Sequence, residues 1–227
     1  MALDSGVLDQ LEAALGAVLP GEVAVAVEDP SAGDAGLFAA EAAAVARAVP
    51  KRRAEFAAGR RAAHRAMEAL GHLAAPVTME ANRAPVWPDG LIGSISHCNG
   101  GCAALVARGA DLRAVAIDLE DNTNLPREVL PMVCLPAERA WIDRLAPERR
   151  MWAARLIFSA KECAYKLQFP ITRKMLDFAD LQVDIDLPGR RFRARFLDHQ
   201  APFCAGETLD GQIDWHGTII HSVMILR

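Results

Sequence analysis

A pattern of one long helix followed by short strands occurs twice along this chain. The first helical stretch is the alanine-rich run Ala39–Leu70, and the second covers 149–168 and is expected to end before Pro170. Apolar residues recur at helical spacing in both stretches, and short β-like runs follow each of them. This order predicts an α+β fold with two similar lobes, each a small antiparallel sheet with a long helix. The predicted lobes are 1–108 and 109–227.

The predicted strands are short and are joined by tight turns. Because Asn99-Gly100-Gly101 is a hairpin turn sequence, the runs on either side of it are predicted to pair. The first twenty residues predict an amphipathic helix, and the proline-rich segment 122–150 predicts short helices and turns. The predicted strands are Leu91–Ser96, Ala103–Ala107, Leu112–Glu120, Leu181–Leu187, Phe192–Phe196 and Gly217–Leu226.

Positive charge is concentrated in one stretch of an acidic chain. The whole chain has a net charge of −4, which argues against nucleic acid as a partner, yet residues 51–65 hold six basic residues and only one acid, Glu55. Arg53, Arg60 and His64 fall on one face of the predicted helix. We expect a local site for an anionic ligand here, and a solvated basic face is the alternative.

Two carboxylates follow one another at strand spacing. Asp118 and Glu120 are two residues apart in a predicted strand, so both side chains leave the same face. Two adjacent carboxylates repel unless a cation lies between them, and such hard oxygen ligands suit Mg²⁺, with Mn²⁺ as a possible substitute. An exposed strand end with two solvated acids is the alternative.

A third acid lies on the second long helix with two lysines. Glu162 and Lys166 are four residues apart, beside Lys161, and apolar residues flank them. A surface salt bridge is the usual meaning of this spacing. The functional interpretation is a third metal carboxylate and two cations for phosphate.

The sequence disfavours glycine-rich phosphate loops, a serine hydrolase, and a secreted or membrane-spanning protein. Neither a Walker A sequence nor G-x-G-x-x-G occurs, so any phosphate must be held by side-chain cations, and no G-x-S-x-G sequence surrounds Ser94 or Ser96. Five cysteines without a C-x-x-C pair are typical of a reducing cytoplasm. We expect neither a signal peptide nor a membrane span.

Four segments, in this order, carry a resemblance to a known family. The chain resembles the larger, monomeric type of 4′-phosphopantetheinyl transferase, particularly those serving siderophore synthetases such as enterobactin synthetase. The resemblance spans 51–166 and departs from the family mainly at Ala116, where glycine is frequent. The matching segments are Lys51–Arg60, Pro85–Cys98, Ile117–Glu120 and Phe158–Glu162 with Lys166.

The resemblance implies a fold, a substrate and a set of roles. The lobes would be related by a pseudo-twofold axis, with coenzyme A and Mg²⁺ in the cleft between them. Glu162 and Lys166 would be catalytic. The resemblance assigns Asp118, Glu120 and Glu162 to the metal, Lys166 to the pyrophosphate, and Arg53, Arg60, Arg83, Ser96 and His97 to the 3′-phosphoadenosine end, and Lys161 is a further cation for phosphate.

The implied reaction transfers 4′-phosphopantetheine from coenzyme A to a serine of an acyl- or peptidyl-carrier protein, releasing adenosine 3′,5′-bisphosphate. Such a monomeric enzyme would support siderophore, nonribosomal peptide, polyketide or fatty acid synthesis. We expect 122–150, which mixes apolar and basic residues, to receive the carrier protein. Two alternatives stay open: a different coenzyme A-dependent acyltransferase with His97 as base, and a non-catalytic coenzyme A-binding protein.

Overall fold

The computed structural model describes residues 5–227, which contain six α-helices and ten β-strands. Single turns of 3₁₀-helix lie at Pro30–Ala32, Pro147–Arg149 and Phe178–Asp180. The helices are α1 (Ser5–Val18), α2 (Ala39–Val45), α3 (Pro50–Ala69), α4 (Leu130–Val133), α5 (Pro136–Ile142) and α6 (Arg150–Thr172). The strands are β1 (Val23–Glu28), β2 (Thr78–Met79), β3 (Pro85–Val86), β4 (Leu91–Cys98), β5 (Gly101–Arg108), β6 (Ala114–Asp121), β7 (Leu181–Asp186), β8 (Arg191–Phe196), β9 (Thr208–His216) and β10 (Ile219–Leu226).

The first sheet has three antiparallel strands in the order β1-β5-β4, and α3 covers one of its faces. Small side chains on α3, such as Ala62 and Ala66, pack with Ala104 and Val106 of β5. Alanine lets the helix approach the sheet closely. The alanine-rich sequence of this stretch is therefore what allows a 20-residue helix to lie flat on so small a sheet.

The second sheet has five antiparallel strands in the order β6-β10-β9-β8-β7, and α6 packs against it. Strand β8 alternates cleanly, because Phe192, Ala194 and Phe196 are buried in the core under α6 while the arginines between them are exposed. This alternation is what a sheet with one covered face requires.

The two sheets meet where their edge strands β4 and β6 run side by side. Serine hydroxyls of β4 replace the usual backbone ladder here: Ser94 Oγ accepts the N–H of Ile117 at 3.1 Å, and Ser96 Oγ accepts the N–H of Leu119 at 3.0 Å. We call this junction the serine seam. One apolar cluster, covered by α1, contains residues of both sheets, so the sheets share a core across the seam.

The mixed fold of helices and antiparallel sheets is confirmed, as is the hairpin at Asn99, and the first helical stretch forms two helices, the second of which begins at Pro50. The pseudo-twofold relation and the boundary at 108/109 stay predictions. The first four residues of the predicted N-terminal helix lie outside the described residues. Within the described part of the chain, no helix has the length and hydropathy needed to cross a membrane.

The end of helix α6 and four strands differ from the sequence-based prediction, and two of these strands, β2 and β3, have only two residues each. Helix α6 continues through Pro170 to Thr172, because a proline this near the end removes only one helical hydrogen bond and Arg173, at φ 59, closes the helix by donating its N–H to Phe169 O. Strands β1 and β9 were not predicted. Strand β9 buries only Leu209, Gly211 and Ile213, and its glycine faces the Phe192 ring at a distance that leaves no space for a Cβ, so its apolar signal is weak.

We expect Ser94→Ala to destabilise the protein by about 1–3 kcal/mol, because the buried N–H of Ile117 would lose its acceptor. Urea unfolding followed by circular dichroism measures this. Ser31→Ala is the matched control, since Ser31 is exposed and its Oγ bonds to Asp29 alone among residues 5–227, and we expect it to change stability by less than about 0.5 kcal/mol. A Ser94→Ala protein as stable as the control would contradict the role of the seam.

Candidate active site

A cleft of about 380 Å³ opens beside the serine seam, between α3 of the first sheet and α6 of the second. Its walls carry both signs of charge together with apolar side chains such as Phe56 and Phe158. The basic residues that line it are Arg52, Arg60, Arg83, His97 and Lys166, and the acidic ones are Glu55, Asp118, Glu120 and Glu162. The cleft can therefore receive an anionic ligand at one part of its wall and a cation at another.

Asp118 and Lys166 form the centre of the cleft. Lys166 Nζ donates to Asp118 Oδ1 at 2.7 Å, to Ser96 Oγ at 2.9 Å and to Ile117 O at 3.3 Å. Burial disfavours the charged ammonium, but the Asp118 carboxylate outweighs this and raises the pKa of Lys166. The other carboxylate oxygen, Asp118 Oδ2, is buried and has no hydrogen-bond partner within residues 5–227.

Two further carboxylates face the same cleft in a poorly solvated setting. Burial, and then the charge of Asp118, raises the pKa of Glu120 to about 7, although Arg155 Nη1 donates to Glu120 Oε2 at 2.8 Å. Burial and Asp118 also raise the pKa of Glu162, for which no hydrogen bond is found among the described residues. A cation bound between these groups would relieve both effects.

The three carboxylates fit a hard divalent cation chemically. They offer oxygen ligands only, one of them a buried oxygen without a partner, and burial together with the charge of Asp118 raises the pKa of Glu120 and Glu162. In residues 5–227, however, no group of three His, Cys, Asp or Glu side chains is already arranged to hold an ion. Assembly of such a site would need side-chain movement.

The His97 imidazole lies against Arg52. Arg52 Nη1 is 3.0 Å from His97 Nε2, and because a guanidinium can only donate, Nε2 is the acceptor. Burial lowers the pKa of His97, in keeping with a neutral ring. The ring is therefore left with Nδ1–H as its donor toward an anionic ligand.

Arg60 is buried and holds the strand that leads to Arg83. Arg60 Nε donates to Val77 O at 2.6 Å, Nη2 donates to Thr78 O at 3.3 Å, and the guanidinium lies 4.1 Å from the centre of the Phe56 ring. Burial lowers its pKa to about 10, so it stays cationic at neutral pH. The β2–β3 hairpin that follows carries Arg83, at φ 73, into the cleft.

Two family models match the chain: "4'-phosphopantetheinyl transferase N-terminal domain" over residues 40–107 and "4'-phosphopantetheinyl transferase superfamily" over 114–217. Among curated proteins, 4'-phosphopantetheinyl transferase Svp of Streptomyces mobaraensis is 46% identical over 177 residues, which cover 77% of this chain and 71% of that protein. The chain belongs to the 4′-phosphopantetheinyl transferase superfamily.

Further relatives agree with this assignment. 4'-Phosphopantetheinyl transferase PptT of Mycobacterium tuberculosis is 39% identical over 171 residues, 75% of this chain and 74% of that protein. Enterobactin synthase component D of Escherichia coli is 38% identical over 120 residues, 51% of this chain and 54% of that protein. The family membership identifies the chain as a 4′-phosphopantetheinyl transferase enzyme and so disfavours the non-catalytic alternative.

Most of the predicted site residues of this transferase come together in the cleft. Arg53 does not: its Nε pairs with Asp34 Oδ2 at 3.0 Å, outside the cleft. Arg53 and Arg60 share a helix face but are separated by about 10 Å along the axis, so they contact different neighbours. Arg52, one position earlier, lines the cleft instead. The predicted residues that line it are Arg60, Arg83, Ser96, His97, Asp118, Glu120, Glu162 and Lys166.

Lys161 is also outside the cleft, and its contacts are structural. Its side chain is 1% exposed, and its Nζ pairs with Glu138 Oε2 at 2.9 Å and donates to Val133 O and Phe178 O, both at 2.8 Å. Glu138 in turn accepts the N–H of Val183. Lys161 thus joins α6 to α5 and to the edge strand β7.

The sequence reasoning did not identify Arg52 or Arg155 as site residues. Arg155 lies seven residues before Glu162, two helical turns away, so the two side chains share one face of α6. That spacing could have identified Arg155 from the sequence, because a basic residue on the same helix face as a site carboxylate lies close to the site.

We expect Lys161→Met to lower stability by about 3–5 kcal/mol, because it leaves the Glu138 carboxylate buried without its cation. Urea unfolding measures the loss, with exposed Lys174→Met as the matched control. Calorimetry on the folded variant should find wild-type affinity for coenzyme A. Weakened coenzyme A binding at wild-type stability would instead make Lys161 a ligand-binding residue.

Proposed function

We propose that this transferase moves 4′-phosphopantetheine from coenzyme A to a serine hydroxyl of an acyl- or peptidyl-carrier protein, with Mg²⁺, and releases adenosine 3′,5′-bisphosphate. One observation carries the proposal: four carboxylates, among them Asp118, Glu120 and Glu162, and five basic side chains line a single cleft. Phosphate groups need the cations, and a metal bound to a pyrophosphate needs the carboxylates.

Coenzyme A would lie with its charged end against the first sheet. The cations Arg52, Arg60 and Arg83, with the Nδ1–H donor of His97, form the wall that would hold its 3′-phosphoadenosine end. Charge-assisted hydrogen bonds to phosphate are among the stronger polar contacts. Lys166, at the seam, would contact the pyrophosphate. Ser96 would act indirectly, since its hydroxyl is already bonded to Lys166 and Asp118.

Asp118, Glu120 and Glu162 would hold Mg²⁺, which supplies charge neutralisation at the pyrophosphate when bound. Asp118 would offer Oδ2, because Oδ1 is bonded to Lys166 and Ser96. Mn²⁺ has the same preference for oxygen ligands and is a possible substitute.

Glu162 is the residue best placed to accept the proton of the attacking serine. Burial raises its pKa, which favours proton uptake, and no described residue donates a hydrogen bond to it. The serine Oγ bonds to the β-phosphorus of coenzyme A as the bond from that phosphorus to the leaving adenosine 3′,5′-bisphosphate breaks. The serine proton passes to Glu162 directly or through a water molecule, and Lys166 stabilises the developing charge.

The acceptor would dock beside the cleft on 122–150. Met132 in this segment is 65% exposed, with Arg127, Arg139 and Arg144 nearby in the sequence. Exposed apolar and basic groups suit a small acidic carrier protein. Because relatives include an enterobactin synthase component, siderophore synthesis is one pathway such a carrier would serve, with nonribosomal peptide, polyketide and fatty acid synthesis as the others. We propose a cytoplasmic monomer.

An acyltransferase with His97 as base receives no support from the geometry. A base needs a free nitrogen lone pair, but His97 Nε2 already accepts a hydrogen bond from Arg52. Such a reaction would also give no role to the three carboxylates.

Intact mass spectrometry of an apo carrier protein, after incubation with coenzyme A, Mg²⁺ and this enzyme, tests the proposed function. We expect a gain of one phosphopantetheine mass. Glu162→Gln should slow this gain by about 10²–10⁴-fold, as expected for loss of a general base. Exposed Glu68→Gln, which lies outside both the cleft and 122–150, is the matched control and should act as wild type. No mass gain with any carrier protein would refute the donor and acceptor, and full activity of Glu162→Gln would refute the base.

A further inference from the structure

Arg155 is a mostly buried cation next to the carboxylates of the cleft. Its side chain is 16% exposed, and its Nη1 donates to Glu120 Oε2 at 2.8 Å, where the Glu120 side chain is 21% exposed. Its guanidinium lies 5.7 Å from the centre of the Phe158 ring, which itself lines the cleft. The proposed function has so far given Arg155 no part.

The burial of Arg155 separates this contact from an ordinary surface ion pair. Its Nε–H is buried and has no hydrogen-bond partner in the described chain. A buried donor without a partner destabilises the folded state, whereas an exposed ion pair stabilises it only slightly. Its Nη2 makes a longer bond, 3.5 Å, to Asn124 O, so the 2.8 Å pair with Glu120 is the shorter of the two polar contacts that hold this guanidinium in place.

Asp118 and Glu120, the two carboxylates of β6, are held in the same way. In each, a cation from α6 holds one oxygen: Lys166 bonds to Asp118 Oδ1, and Arg155 bonds to Glu120 Oε2. The second oxygen of each, Asp118 Oδ2 and Glu120 Oε1, accepts no hydrogen bond from any described residue. Helix α6 thus holds one oxygen of each side chain and leaves the other oxygen without a hydrogen-bond donor among the described residues.

We infer that Arg155 is a positioning residue for the metal site, holding Glu120 by Oε2 so that Oε1 is available to the cation. The inference rests on the proposed function, which assigns the metal to Asp118, Glu120 and Glu162. Carboxylates that bind a metal generally also accept a hydrogen bond from a residue that does not itself bind the metal. The opposite effect is also physically possible, because Arg155 could compete with the cation for Glu120, and the two effects change metal affinity in opposite directions.

Electron paramagnetic resonance of free Mn²⁺, titrated with enzyme and saturating coenzyme A but no carrier protein, measures that affinity. A titration of coenzyme A alone corrects for Mn²⁺ bound to the nucleotide. We expect Arg155→Met to weaken Mn²⁺ binding by about 10–100-fold, as the loss of an outer partner does at other metal sites. Arg155→Lys, which keeps the charge, should recover part of the affinity, and added Mn²⁺ should restore activity to Arg155→Met.

Arg150→Met is the matched control. Arg150 lies on the same helix, but it bonds to Leu145 O and Asp143 O outside the cleft, so its replacement should leave Mn²⁺ affinity unchanged. Unchanged or tighter binding in a folded Arg155→Met protein, or tighter binding in Arg155→Lys, would overturn the inference while leaving the proposed function intact. If the wild type itself binds no Mn²⁺, the metal assignment of the proposed function falls first, and the role of Arg155 falls with it.

Discussion

The serine seam is the interaction on which the rest of this structure depends. Two edge strands lie side by side without a backbone ladder between them, because Ser94 and Ser96 accept the N–H groups of β6 that would otherwise be unpaired. Lys166 also links the two strands, because its Nζ donates to Ser96 of β4 and to Asp118 of β6. The cleft exists because this junction places the end of β4, with His97, beside the carboxylates of β6. A residue of the seam is thus also a residue of the site, and stability and function are coupled there.

The distribution of charge explains why the cleft is poised for a ligand. Glu120 and Glu162 are partly buried near Asp118, and Arg155 and Lys166 of α6 offset only part of the resulting desolvation and repulsion, so both glutamates keep raised pKa values. On the opposite wall, Arg60 is buried enough to lower its pKa. A ligand that carries both phosphate and a divalent cation would place an opposite charge next to the arginines of one wall and next to the carboxylates of the other.

Local spacing predicted the parts of the site that depend on one element. The same-face pair Asp118 and Glu120 follows from strand alternation, and Glu162 with Lys166 follows from the helical repeat, so the sequence alone placed these on common faces. What depends on tertiary neighbours could not be predicted. Lys161 differs from Lys166 only in the side of α6 on which it lies, yet it meets Glu138 and buried carbonyl groups. Strand β9 was missed for a related reason. Its glycine makes room for Phe192 of the neighbouring strand, and this contact cannot be predicted from the sequence of β9 alone.

The central claim is that β6 and α6 together present one free oxygen from each strand carboxylate to a metal, with Lys166 and Arg155 holding the other. A crystal structure with coenzyme A and Mg²⁺ tests it most directly. We predict Mg²⁺ at about 2.0–2.1 Å from Asp118 Oδ2, with Lys166 still on Oδ1 and Arg155 still on Glu120 Oε2. A metal bound through Asp118 Oδ1 after displacement of Lys166, or bound away from these carboxylates, would contradict the account.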